Sequence, residues 1–190
     1  MCGRYSLHNK RLVKSQIGCD INPDYNICPK KKVLIFNDQL VPCRMTWGYS
    51  PVWSKRASSL INARLETLAH KPSFKGTKRC IFIASGYYEW RVVKDAKFPY
   101  YHYCKDKLMY FAGIYNETSG CCIVTRPSDE KFSFIHDRQP CLIEESGFDD
   151  WLKNRYDLSY ATPSNLAFYQ VSKKVNSPVN NDETILRELI

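Results

Sequence analysis

The chain has 190 residues, 44% of them hydrophobic and 14% aromatic, with a formal net charge of +9. That length and apolar share suit one packed core and exclude wholesale disorder. No apolar run reaches the roughly 20 residues that cross a bilayer. The positive charge favours polyanions, nucleic acid first and a membrane surface second, although charge alone fits simple solubility equally well.

In chain order, Asn9 to Ile17 reads as a short helix. Val33 to Phe36 reads as a strand. Ser58 to His70, with Leu60, Ile61, Leu65 and Leu68, has a loosely helical spacing. Strands are then expected over Cys80 to Ala84, Tyr87 to Val93, Pro99 to Cys104, Leu108 to Tyr115 and Cys121 to Thr125. Lys105-Asp106-Lys107 reads as a hairpin turn between two of them. Phe148 to Leu152 reads as a helical turn or two. The total predicts a strand-dominated α+β domain with one core, spanning 2–190.

The nine cysteines are an odd count. No secretory signal opens the sequence, and no C-x-x-C pair occurs. Reduced thiols in the cytoplasm or nucleus are expected, with no metal or other cofactor.

Cys2 differs from the other cysteines. A small residue at this position directs removal of Met1, after which its nitrogen is an amine. A free α-amine has a pKa of about 7.7–8.0 and a thiol about 8.5, so part of the amine is neutral near pH 7. A neutral amine attacks an aldehyde to give an imine. The adjacent thiol then closes a five-membered thiazolidine. A small second residue also occurs merely to direct Met removal, so position alone does not assign the chemistry.

The motifs settle what position does not. Cys2-Gly3-Arg4-Tyr5 resembles the N-terminus of the SRAP family, the SOS-response-associated peptidase-like proteins. Pro23-Asp24-Tyr25-Asn26-Ile27-Cys28-Pro29 is similar to the family's P-x-Y-N-I-x-P. Trp47-Gly48-Tyr49-Ser50-Pro51-Val52-Trp53 is similar to W-G-L-x-P-x-W, and Asn62-Ala63-Arg64-Leu65-Glu66-Thr67 to N-A-R-x-E-T. Gly86-Tyr87-Tyr88-Glu89-Trp90 resembles G-F-Y-E-W, Phe111-Ala112-Gly113-Ile114-Tyr115 resembles F-A-G-L-W, and His136-Asp137-Arg138-Gln139-Pro140 resembles H-x-R-M-P. Val171-Ser172 and Val175-Asn176 match the closing V-S-x-x-V-N. Each motif is short; their shared order carries the resemblance.

The resemblance implies a compact, β-barrel-like fold with a basic DNA groove. It implies covalent capture of abasic sites in single-stranded DNA by the N-terminal cysteine, in a protein expected to be a monomer and free of membranes. An abasic deoxyribose opens to an aldehyde, the electrophile a 1,2-aminothiol captures. Glu89 is then the general acid–base, its pKa raised by an aromatic setting. His136 protonates the sugar oxygen during ring opening. Asn62 orients the Cys2 amine or the sugar. Arg4, Arg64 and Arg138 hold the DNA backbone. Trp47 and Pro29 stack on or wedge beside bases, while Thr125 and Pro140 complete the DNA contacts. For Trp53, core packing is the preferred reading.

Three residues depart from the family pattern: Gln139 for Met, Arg126 for a common Thr, and Ser85 for a common acidic residue. Two other readings stand beside capture. Cys2, His136 and Asn62 have the residue types of a thiol peptidase or autoprotease. A non-catalytic single-strand binding module would use the same basic and aromatic groups.

Overall fold

Strands dominate because β-branched and aromatic residues fill long half-buried runs. A computed structural model describes residues 2–51, 53, 59–155 and 162–189. The first sheet contains β1 (Tyr5–Leu7), β2 (Asp24–Ile27), β7 (Gly86–Val93), β8 (Ala96–Cys104) and β12 (Leu166–Gln170), in the order β12-β8-β7-β1-β2. The second contains β3 (Lys32–Phe36), β4 (Pro42–Thr46), β6 (Lys78–Ala84), β9 (Met109–Asn116), β10 (Gly120–Pro127) and β11 (Arg138–Pro140), in the order β11-β10-β9-β6-β3-β4. β5 (Asn62–Arg64) joins it by pairing parallel to β10. The helices are α1 (Lys10–Ile17), α2 (Glu130–Ser133) and α3 (Phe148–Leu152). Both sheets are open, so the α+β class holds without closure into one barrel. Among the described residues no helix is long and apolar enough to cross a membrane.

The two sheets meet through aromatic rings. Tyr5 of β1 makes edge contacts with Trp47, Phe82 of β6 and Phe111 of β9, at centroid distances of 5.3, 6.4 and 6.0 Å. Tyr87 of β7 meets Phe111 edge-on at 5.9 Å. Such edge contacts add to the burial of each ring. Tyr5 therefore pins the chain three residues after Cys2. A smaller cluster, Tyr88, Tyr101, Val171, Val175 and Ile185, joins β7 and β8 to the C-terminal segment.

Local chemistry explains most boundaries. Asn9 caps α1 by accepting the Leu12 N–H, and Gly18 ends it in the left-handed region at φ 77°. Lys94 and Asp95, at φ 46° and 65°, form the tight turn joining β7 to β8. β7 begins buried and ends exposed, so this hairpin projects into solvent.

Three expectations need correction. Lys105-Asp106-Lys107 does turn, with Asp106 at φ 56°, but it joins no hairpin. β8 pairs with β7 and β12, whereas β9 pairs with β6 and β10, so this turn carries the chain from one sheet to the other. The span from Ser58 to His70 is not a helix. Ser58 lies outside the described residues, and Asn62, Ala63 and Arg64 are extended opposite Ile123, Val124 and Thr125. A short 3-10 turn follows at Leu65–Thr67. Ladder bonds to a buried strand outweigh the weak helical pattern. Trp53 is the third: it is 67% exposed, not core.

Candidate active site around Cys2

The register of β1 places the chain start. Tyr5 pairs with Tyr87, and Tyr88 N–H donates to the Arg4 carbonyl at 3.0 Å. From Arg4 the chain leads back to Cys2, which lies within reach of the Glu89 charge. Cys2 is fully buried there. Burial pushes its thiol well above the ordinary range, and the Glu89 charge raises it further. The Arg4 backbone N–H and the positive chain terminus pull the other way. The thiol is thus held protonated at neutral pH.

Glu89 is 3% exposed on β7, opposite Tyr100. Burial raises its carboxyl to about 7, against the pull of the positive terminus. A carboxyl poised there both takes and returns protons near neutral pH. Asn62 Nδ2–H donates to the Cys2 carbonyl at 3.0 Å. Its Oδ1 is buried with no hydrogen-bond partner among the described residues. That leaves a spare acceptor close to the chain start.

A pocket of about 350 Å³ opens over this region, lined by Arg4, Glu89, Trp90, Val92, Lys97, His136 and Asn176. His136 is half-buried, and burial lowers its pKa. Its Nδ1 accepts the Arg138 backbone N–H at 2.9 Å. Arg4 Nη1 donates to Asn26 Oδ1 at 2.7 Å and to the Val175 carbonyl at 2.9 Å.

Cys2, Asn62, Glu89, His136 and Arg4 therefore converge on one place. None of the other expected residues lines the pocket, and Arg138 reaches the site only through its backbone N–H on His136. Trp47 is fully buried, and its indole N–H donates to the Ile61 carbonyl at 3.0 Å, so it packs the core and offers no face to a base. Arg138 is 8% exposed and spends its fork inside the protein, bidentate on Glu66 and on the Thr125 carbonyl at 2.8 Å. Thr125 is fully buried and accepts from Arg138 at 3.2 Å, and Pro140 is buried in β11 opposite it. Arg64 is exposed and Pro29 half-buried, both outside the pocket lining.

Trp90, Lys97 and Asn176 are pocket residues that the sequence reading gave no role. Trp90 Nε1–H donates to Asn176 Oδ1 at 2.8 Å. Both sit in motifs already quoted, G-Y-Y-E-W and V-N, so a signal existed. Lys97 belongs to no motif, and only the hairpin register brings it in.

Fold and site together define a class: a small two-sheet α+β protein whose second residue, a cysteine, is lodged beside a buried acid. The chain belongs to the SOS response associated peptidase (SRAP) family, whose model matches residues 1–178. It is 32% identical to the abasic site processing protein YoqW of Bacillus subtilis, over 98% of this chain and 99% of that protein. It is 28% identical to the abasic site processing protein YedK of Escherichia coli, over 98% and 99%. A solved protein of Bacteroides thetaiotaomicron covers all of both chains at TM-score 0.76 and 22% identity. A phage-related protein of Bordetella bronchiseptica matches at TM-score 0.72 and 26% identity, over 90% of this chain and 95% of its own.

Proposed function

We propose that this protein processes abasic sites in DNA, and that it does so by capturing the ring-opened sugar of a single strand covalently on Cys2. Two relatives that match nearly end to end are named for abasic-site processing. The observation that carries the finer reading is a buried carboxyl, at about 7, electrostatically coupled to Cys2 at the base of a pocket.

The chemistry balances without a cofactor. Removal of Met1 leaves the Cys2 amine, which Asn62 Oδ1 is placed to receive. Neutral amine attacks C1′ of the aldehyde, forming a C–N bond and a carbinolamine. Glu89 accepts the proton that nitrogen loses and returns it to the departing hydroxyl, which leaves as water. The thiol sulfur then adds to the imine carbon, and its proton passes to nitrogen. Aldehyde and aminothiol thus give a thiazolidine plus one water, with no oxidation or reduction. As the ring opens, the anomeric hydroxyl proton passes to the ring oxygen, which accepts a hydrogen bond from His136 Nε2–H as its charge develops. Arg4, Lys97 and Trp90 line the approach for phosphate and base.

A thiol peptidase would turn the same sulfur on an amide carbonyl and has no use for a free α-amine, so the need for Met1 removal separates the two readings. Incubation with an abasic single-stranded oligonucleotide and a denaturing gel test the reading. A shifted band with the unaltered protein and none with Cys2→Ala supports it, and a band retained in Cys2→Ala contradicts it.

A further inference from the structure

We propose that Glu66 is a positioning residue for His136, acting through Arg138 to keep the imidazole neutral with its proton on Nε2. The functional half of this inference rests on the capture reading above; the geometric half stands alone. His136 lies in the segment between α2 and β11, which Ser128 N–H closes by donating to the Asp137 carbonyl at 2.9 Å. Two groups compete for its Nδ1. The Arg138 backbone N–H donates to it at 2.9 Å, and Asp137 Oδ1 also lies 2.9 Å away. The amide contact requires an unprotonated Nδ1, and the carboxylate contact requires a protonated one. Which partner wins depends on where the backbone of residue 138 is held.

That backbone is held by the pairing of β11 with β10, Arg138 opposite Pro127, and by its own side chain. Arg138 Nη1 and Nη2 donate to the two oxygens of Glu66, the latter at 3.0 Å. Nη2 also donates to the Thr125 carbonyl at 2.8 Å and hydroxyl at 3.2 Å. The clamp thus ties β11 to β10 and to the 3-10 turn after β5. A bidentate fork fixes direction as well as distance. Asp137 is mostly exposed, so with the clamp intact it is free to turn to water. Around the ring stand Asp137 and Arg138 on its own segment, Arg4, Glu89 of β7, Lys97 of β8 and the positive chain terminus. Asp137 favours the charged ring by its charge, whereas Arg138 and the positive terminus oppose it. Loss of the clamp hands Nδ1 to Asp137.

The test is ¹⁵N NMR of protein labelled in histidine, with His136→Gln used to assign the resonance among the four histidines. The unaltered protein should show Nδ1 unprotonated and Nε2 protonated at pH 7. Glu66→Gln should move the proton towards Nδ1 and raise the His136 titration by about one pH unit. Arg138→Lys, which keeps the charge but loses the fork, should shift it the same way. Adding Asp137→Asn to Glu66→Gln should restore the original pattern. Unchanged tautomer and titration in both single variants would overturn the proposal. With saturating abasic oligonucleotide, Glu66→Gln should capture about tenfold more slowly above the His136 titration, where the neutral ring would carry its proton on Nδ1 and none on Nε2. Unaltered capture despite a shifted tautomer overturns the functional half. No capture by the unaltered protein overturns the reading above, while the NMR still decides the geometry.

Discussion

At the scale of single residues, Glu89 couples chemistry to stability. Its carboxyl rises from 4.5 to about 7 on folding because burial penalises the charge. Between these values the folded state holds the proton and the unfolded state releases it, so stability falls as pH rises through that window. Integrated, the loss is roughly 3 kcal/mol by pH 8. Glu89→Gln keeps a neutral group of similar shape. It should match the unaltered protein in thermal unfolding at pH 4, exceed it clearly at pH 8, and capture abasic DNA more slowly throughout. Equal melting temperatures at pH 8, or capture at an unaltered rate, would contradict the role given to this carboxyl. A site that sacrifices stability for a proton-transfer group is a familiar compromise.

At the scale of elements, the site depends on how tightly β7 is flanked by β1 and β8. Gly86 sits where all three meet, beside Ser6 and Tyr103. A Cβ there would lie 2.5 Å from the His102 carbonyl oxygen and against the Tyr101 ring. Gly86→Ala should therefore destabilise by about 1–3 kcal/mol in denaturant titration, because backbone cannot step aside. A change near zero would show the three strands to be looser than their register implies. The long strands were legible because their runs are apolar and aromatic; β9 is buried at all but its last position. What turn chemistry does not encode is the partner. Lys105-Asp106-Lys107 and Lys94-Asp95 both turn, yet only the second closes a hairpin. The two indoles of the W-x5-W run look alike locally. Trp47 is buried because the chain entering β5 offers the Ile61 carbonyl and Tyr5 offers a ring. Cys2, Glu89, His136 and Arg4 stood in recognisable motifs. The partners that occupy Arg138, Glu66 and Thr125, are a tertiary fact that its motif does not announce.

At the scale of the whole molecule, the net charge of +9 sets the encounter with DNA and not the bond that follows. Phosphate contacts release counterions, so reversible binding of intact single strands by Cys2→Ala should weaken with salt. About three contacts would cost roughly 20-fold between about 50 and 200 mM. An adduct already formed should be indifferent to the same change. Affinity flat in salt would remove electrostatics from the encounter. The central claim is that amine and thiol of one residue close together on the sugar. Intact mass under denaturing conditions, without a reducing agent, after incubation with an abasic single strand tests it most directly. The account predicts one species, the mass of the chain lacking Met1 plus the oligonucleotide less one water, stable to denaturant where a plain imine would hydrolyse. An equally stable adduct on chains that still carry Met1 would contradict it.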